Sequence, residues 1–314
     1  MSKITFSCLF AVFGVWTIFN VSCNNSRKPP GTDIAHSPKE LVEKTTAHIG
    51  NMLHFASDNN GKIDDSLILS EEKPVEFFYQ RNHNAAIWSR EEQWQPFGDS
   101  LFSFIANAKY YGLFPQDYHY QQLSEIRARF SDSDNGKSER KDAALWARAD
   151  IMLTDAFVQI VKDIKLGRLP QDSITMRPDS VLKDKFYLHQ LDLLQEKGSL
   201  TEVIESLEPK IKGYYLLKEG LRKFLDKAKD KTYTYVPSPS KDAASYKKAL
   251  QQRLFEGGFI ETDSIAADSV QLSHALKKFQ ESEGITADGK IGNETLRMLN
   301  TSDKEKFVRI AITM

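Results

Sequence analysis

The sequence predicts a mostly α chain, a helical scaffold domain followed by a small three-helix module, and three observations carry that reading. Apolar residues recur at helical spacing, as at Leu272, Ala275, Leu276 and Phe279, the i, i+3, i+4, i+7 pattern of a helix with one buried face. Glycine or proline stands where such stripes stop, at Gly112, Gly167, Gly198, Pro209, Gly257 and Gly284. A stretch at 231–242 containing Pro237 and Pro239 separates the larger part from the smaller. Little strand is expected anywhere.

The chain has 314 residues, 40% hydrophobic and 11% aromatic, enough for one large core or two modest ones. A formal net charge of −1, with no basic stripe interleaved with aromatics, argues against a nucleic-acid partner. Lys3 followed by the apolar run Cys8–Phe19 reads as an export signal, too short to span a bilayer comfortably. Ser22-Cys23 and the polar Asn24-Asn25-Ser26 then resemble a lipoprotein signal, with Cys23 as the acylated first residue of the mature chain. Asn20 departs from the Leu such signals prefer, and an ordinary cleaved signal is the alternative. The expected protein is therefore exported to the periplasm and held to a lipid membrane by its N-terminus. Both cysteines, Cys8 and Cys23, fall in this 1–23 segment. The mature body then has no disulfide, no cysteine-ligated metal and no cysteine nucleophile. No cofactor is expected.

Residues 24–40 read as a tether, and the scaffold is expected over 41–230. Leu41, Thr45, His48, Met52 and Phe55 form its first helical stripe. His48 and His54 have no acidic or cysteine partner at metal spacing and read as packing or surface groups, so no metal site is expected. Pro74–Trp88 concentrates large aromatics. Leu101, Phe104, Ile105 and Ala108 mark a helix that Gly112-Leu113-Phe114-Pro115 ends. From Asp142 a long helix runs through Leu145, Ile151, Phe157, Val161 and Ile164 to Gly167. Lys183–Glu196 is helical, Ser199-x-x-Glu202 is a capping box, and Tyr214, Leu217, Leu221 and Phe224 form the last scaffold helix.

The module is expected over 243–300. Tyr246, Leu250 and Leu254 make its first helix, ended by Gly257-Gly258; Gly284 closes the second, since without a Cβ it adopts the left-handed C-cap conformation. Asp288-Gly289 is a turn, and Asn293 caps a short third helix carrying Leu296 and Leu299 inward. Taken together, Leu250-x-x-x-Leu254-x-x-Gly257-Gly258-Phe259, Ala275-x-x-x-Phe279-Gln280, Gly284-Ile285, Asp288-Gly289-x-Ile291-Gly292 and Thr295-Leu296 resemble the peptidoglycan-binding module of bacterial cell-wall enzymes. Upstream, Ala108-x-x-x-Gly112-Leu113-x-Pro115-x-Asp117-Tyr118-His119, Ala149-Asp150-x-x-Leu153-Thr154-Asp155-Ala156-Phe157 and Gly167-Arg168 look like the helical scaffold domain of the large L,D-transpeptidases.

That resemblance implies a cell-wall protein with peptidoglycan as partner. In the family a β-rich catalytic domain with a His and a Ser-x-Gly-Cys nucleophile follows the module. Here residues 301–314, with Ser302-x-x-Glu305 capping a short helix, resemble the entry to such a domain. Transpeptidation needs a thiolate, and no residue past Cys23 supplies one. The seven histidines are scattered without a serine elbow, so no catalytic residues are assigned. The leading expectation is a non-catalytic, truncated or stand-alone peptidoglycan binder. The alternatives are part of a complete murein L,D-transpeptidase whose catalytic domain is encoded downstream or separately, and a helical interaction scaffold for another envelope protein.

Peptidoglycan offers hydroxyls, amides and carboxylates, which call for backbone N–H groups and short polar side chains at a shallow groove. The expected site is therefore Asp288, Gly289, Lys290, Gly292, Asn293 and Thr295, with Gln280 as a wall. Gly292 and Asn293 would also serve simply to start a helix.

Overall fold

The computed structural model describes residues 31–169, 182–228, 232–238, 243–261 and 269–314. The export signal, Cys23 and Pro239 lie outside them. The described residues are mostly helical, as expected; their only sheet is a hairpin of two short strands.

The axis of the larger part is Ala143–Leu166, which is α6 in chain order. It holds neither Gly nor Pro, and Asp142 caps it by accepting from the Ala144 amide at 3.0 Å. Gly167 ends it. Buried residues occupy almost every side of this helix, the mark of a central element rather than a surface one. Packed around it are α1 (Pro38–Asp58), α2 (Glu72–Arg81), α3 (Pro96–Ala106), α4 (Tyr120–Ser131), α7 (Asp184–Lys197) and α8 (Leu200–Leu207). A short α5 (Gly136–Glu139) precedes α6, and the hairpin of β1 (Ser89–Arg90) and β2 (Gln93–Trp94) pairs Ser89 with Trp94 antiparallel. Trp88 is fully buried, its ring 5.5 Å from Phe97 and 5.6 Å from Phe157. Burying such aromatics dominates the stability of a core that has no disulfide.

Three polar residues interrupt the apolar surface of α6, and each fixes a loop. Asp150 accepts from the Tyr79 hydroxyl at 2.7 Å, the Ile87 amide at 2.8 Å, the Trp88 amide at 2.9 Å and the Ser89 hydroxyl at 3.2 Å. Thr154 accepts from the Trp88 indole N–H at 2.8 Å. Asp155 accepts from the Ser70 amide at 3.1 Å and the Glu71 amide at 2.8 Å, and its carboxylate lies 2.7 Å from His119 Nε2. Burial pushes the Asp150 carboxyl up to about 6, although the donors around it favour its charged form. His48 is likewise buried, its Nε2 2.9 Å from Asp33.

The smaller part holds α10 (Ala243–Glu256), α11 (Ser269–Ser282) and α12 (Asn293–Leu299), which follow α9 (Lys212–Lys227) in the chain. Leu254, Leu276, Phe279 and Leu299 meet in its core, with Phe259 edge-on to Phe279 at 5.4 Å. Arg253 is buried here: its Nε donates to the Leu299 carbonyl at 2.7 Å and its guanidinium lies 3.8 Å from the centre of the Tyr233 ring. Residues 232–238, expected only to link, are held along this core. Val236 is fully buried, its amide donates to Asn300 Oδ1 at 2.8 Å, and its carbonyl accepts from Asn300 Nδ2 at 2.9 Å. Glu256 accepts from the Thr234 amide and hydroxyl at 2.7 and 2.6 Å.

A final helix, α13 (Asp303–Thr313), opens with the expected Ser302/Glu305 capping box. Phe307 packs edge-on to Phe114 at 5.0 Å and joins Leu221 and Ala311 in a third, small core. On its other side Lys306 pairs with Glu283 at the end of α11.

Candidate functional site

The expected binding turn is built around one amide side chain. Gln280 sits on the last turn of α11 and is 1% exposed. Its Nε2 donates toward Asp288 Oδ1 at 3.0 Å, the Lys290 carbonyl at 2.9 Å and Thr295 Oγ1 at 3.1 Å. Its Oε1 accepts from the Gly289 amide at 2.8 Å. Asp288 Oδ1 also accepts from the Lys290 amide at 2.8 Å, closing the turn on itself. The Phe-Gln pair of the sequence thus divides its labour: Phe279 fills the core and Gln280 ties the turn to it.

Gly289 is required by this geometry. Its φ is +70°, and a Cβ there would stand 2.5 Å from Ser273 Oγ on α11. The turn therefore presses against the helix, with room for backbone only.

These contacts sort the expected site residues into two groups. Gln280 and Thr295, at 1% and 5% exposure, stand inside the turn, so Gln280 is not a wall beside a groove. With donors and acceptor directed at the turn, it has little left to offer a ligand. Asp288, Lys290, Gly292 and Asn293 are exposed and adjacent. Gly292, extended, occupies the position before α12; Asn293 is the first helical residue and no side chain caps the helix, one position away from the cap the sequence suggested. The Lys290 amide, then Gln280, hold the Asp288 carboxyl below its ordinary range, so this face carries a carboxylate beside the Lys290 ammonium.

Sequence reasoning missed two features nearby. The enclosure of Arg253 had no local signal beyond a cation on the apolar stripe of α10. The pairing of Val236 with Asn300 spans 64 residues and had none. Cys23, the expected lipidation site, lies outside the described residues. Among the described residues no group of acidic, His or Cys side chains is arranged to hold a metal, and no helix is long and apolar enough to cross a membrane.

Comparison with family models gives two matches. Residues 73–221 match a model described as "Scaffold domain", and residues 246–299 match one described as "Putative peptidoglycan binding domain". The second covers α10 to α12 and the whole turn. Comparison with curated proteins gives no match. The two matches support a peptidoglycan-associated protein of the cell envelope.

Proposed function

We infer that this chain is the non-catalytic part of an L,D-transpeptidase-like cell-wall protein, which holds peptidoglycan through the exposed face of the 288–293 turn. The observation that carries the reading is the order of the two family matches, a scaffold followed by a peptidoglycan-binding domain, over a turn whose inner residues are saturated and whose outer ones are polar and free to meet a ligand. Lys290 reaches stem or glycan carboxylates as a mobile cation, and Asp288 and Asn293 meet hydroxyls and amides. Acyl transfer itself would require a thiolate from another chain or domain, since Cys8 and Cys23 are the only cysteines of this one.

Charge reversal tests the turn without touching its interior. Lys290→Glu leaves the Gln280 contacts in place, because Gln280 bonds the Lys290 backbone carbonyl and not its side chain. Retention on purified sacculi should fall about tenfold at unchanged melting temperature, the worth of one charge-assisted contact and its reversal. Unchanged retention would remove Lys290 from the site.

The same reading places the body on a lipid anchor at Cys23. Acyl chains there contribute about 0.8 kcal/mol per buried CH₂, far more than the neighbouring polar residues oppose. Cys23→Ala should move the protein from the membrane to the soluble envelope fraction. Identical partitioning of the two forms would make the signal an ordinary cleaved one.

A further inference from the structure

A cleft of about 490 Å³ opens where α9, residues 232–238 and α13 meet. Its floor is apolar, made by Phe114, Phe224 and Leu225 with Phe307 of α13. Its rim carries Lys109, Tyr235 and Lys304, with Asp303 buried beneath them. An apolar floor under a few polar groups, within the roughly 300–1,000 Å³ of small-ligand sites, is the usual plan of a binding pocket.

Two rim residues, Tyr235 and Lys304, stand exposed. Tyr235 is 71% exposed, while the next residue, Val236, is fully buried. The chain here is fixed, so Tyr235 presents its ring to water from a rigid base. Lys304 is exposed and makes no hydrogen bond or ion pair among the described residues. The Asp303 carboxylate, by contrast, already accepts from the Tyr233 hydroxyl at 3.1 and 3.3 Å. Among the described rim residues Lys304 is thus the exposed cation.

The geometry points to this cleft as the seat of a peptidoglycan stem peptide, an assignment that rests on the peptidoglycan reading above and extends it to a second subsite. The cleft begins at Asn300 and Ser302, directly after the residues 246–299 matched as a peptidoglycan-binding domain. A glycan strand whose lactyl groups carry stems is uncharged and offers the Lys304 ammonium no anion. A stem peptide combines the two chemistries present: alanine methyls for the floor and a carboxylate for Lys304, with the Tyr235 ring against the backbone. The glycan is left to the turn at 288–293.

The test titrates the full exported chain with a soluble disaccharide-peptide and, separately, with the disaccharide alone. Lys304→Glu and Tyr235→Ala alter exposed side chains, and melting temperature checks that both fold. The disaccharide-peptide should bind and the disaccharide should bind at least about tenfold more weakly, with each variant weakening the disaccharide-peptide about five- to tenfold. Amidating the stem carboxylates should reproduce the Lys304→Glu loss on wild type. Equal binding of disaccharide and disaccharide-peptide, or variants that bind the stem as wild type does, would overturn the assignment. Retention on sacculi stripped of their stems reads the module by itself. A chain that binds soluble stem but is not retained on stripped glycan would refute the module reading and leave the cleft supported.

Discussion

Asp150→Ala should destabilise the scaffold by about 3–5 kcal/mol, the loss expected when a buried carboxylate leaves several donors unpaired. For a body of this size that is a fall in melting temperature on the order of 10 °C. The Ile87 and Trp88 amides and the Tyr79 and Ser89 hydroxyls all point at this one carboxylate, and an alanine leaves an apolar gap in their midst. Ser89→Ala, which removes only the longest of these bonds, should cost about 1 kcal/mol. A loss below 1 kcal/mol for Asp150→Ala in urea or thermal unfolding would show that the loop at 87–89 rearranges to satisfy itself. The effect has a definite pH sign. Burial raises this carboxyl to about 6, above its ordinary value near 4, so the native state binds the proton more tightly than the unfolded chain. The stability contributed here is largest below about pH 4 and falls as pH rises to about 6. The gap between wild type and Asp150→Ala should therefore be wider at pH 5 than at pH 7, with the Ser89 hydroxyl able to reverse and accept the added proton.

Gln280→Ala should cost the module about 2–4 kcal/mol while leaving the scaffold unchanged. The truncation strips the Gly289 amide of its acceptor and Thr295, Asp288 and the Lys290 carbonyl of a donor. The turn should open before the three-helix core does, because Phe279, Leu276 and Leu299 are untouched. Hydrogen exchange reads this directly: the Gly289 and Lys290 amides should lose protection first, with α6 as slow as in wild type. Retention on sacculi should drop along with it, in contrast to Lys290→Glu, where retention drops and protection stays. Unaltered exchange at Gly289 would mean that the glycine's fit against Ser273 holds the turn without Gln280.

The helices were legible because their signals are local. Asp142 and Gly167 bracket α6, Ser302 and Glu305 open α13, and the period of Leu272 to Phe279 is that of α11. What the sequence left open depends on partners far along the chain. Asp150 is an acid within an apolar run, which signals a buried polar role, yet its partners lie 61 to 71 residues away and no spacing rule finds them. The turn at 288–290 could be read from Asp-Gly, whereas the inward placement of Gln280 and Thr295 could not. A glutamine beside a core phenylalanine is polar on paper, and only the approach of the turn decides whether it faces water or the turn. The composition of residues 231–242 reads as a linker, and it says nothing of the pairing of Asn300 with Val236.

That pairing settles how load would pass through the molecule. Val236 precedes the module and Asn300 closes it, and these two residues exchange a pair of hydrogen bonds. Its entry and exit therefore coincide, so it hangs from the rest of the chain as a loop hangs from a hook, not as a bead on a string. A pull applied at the 288–293 turn would not stretch the chain from end to end. It converges on the Val236–Asn300 junction, and from there α13 carries it into the scaffold through Phe307 on Phe114, with Lys306 and Glu283 bracing the module side.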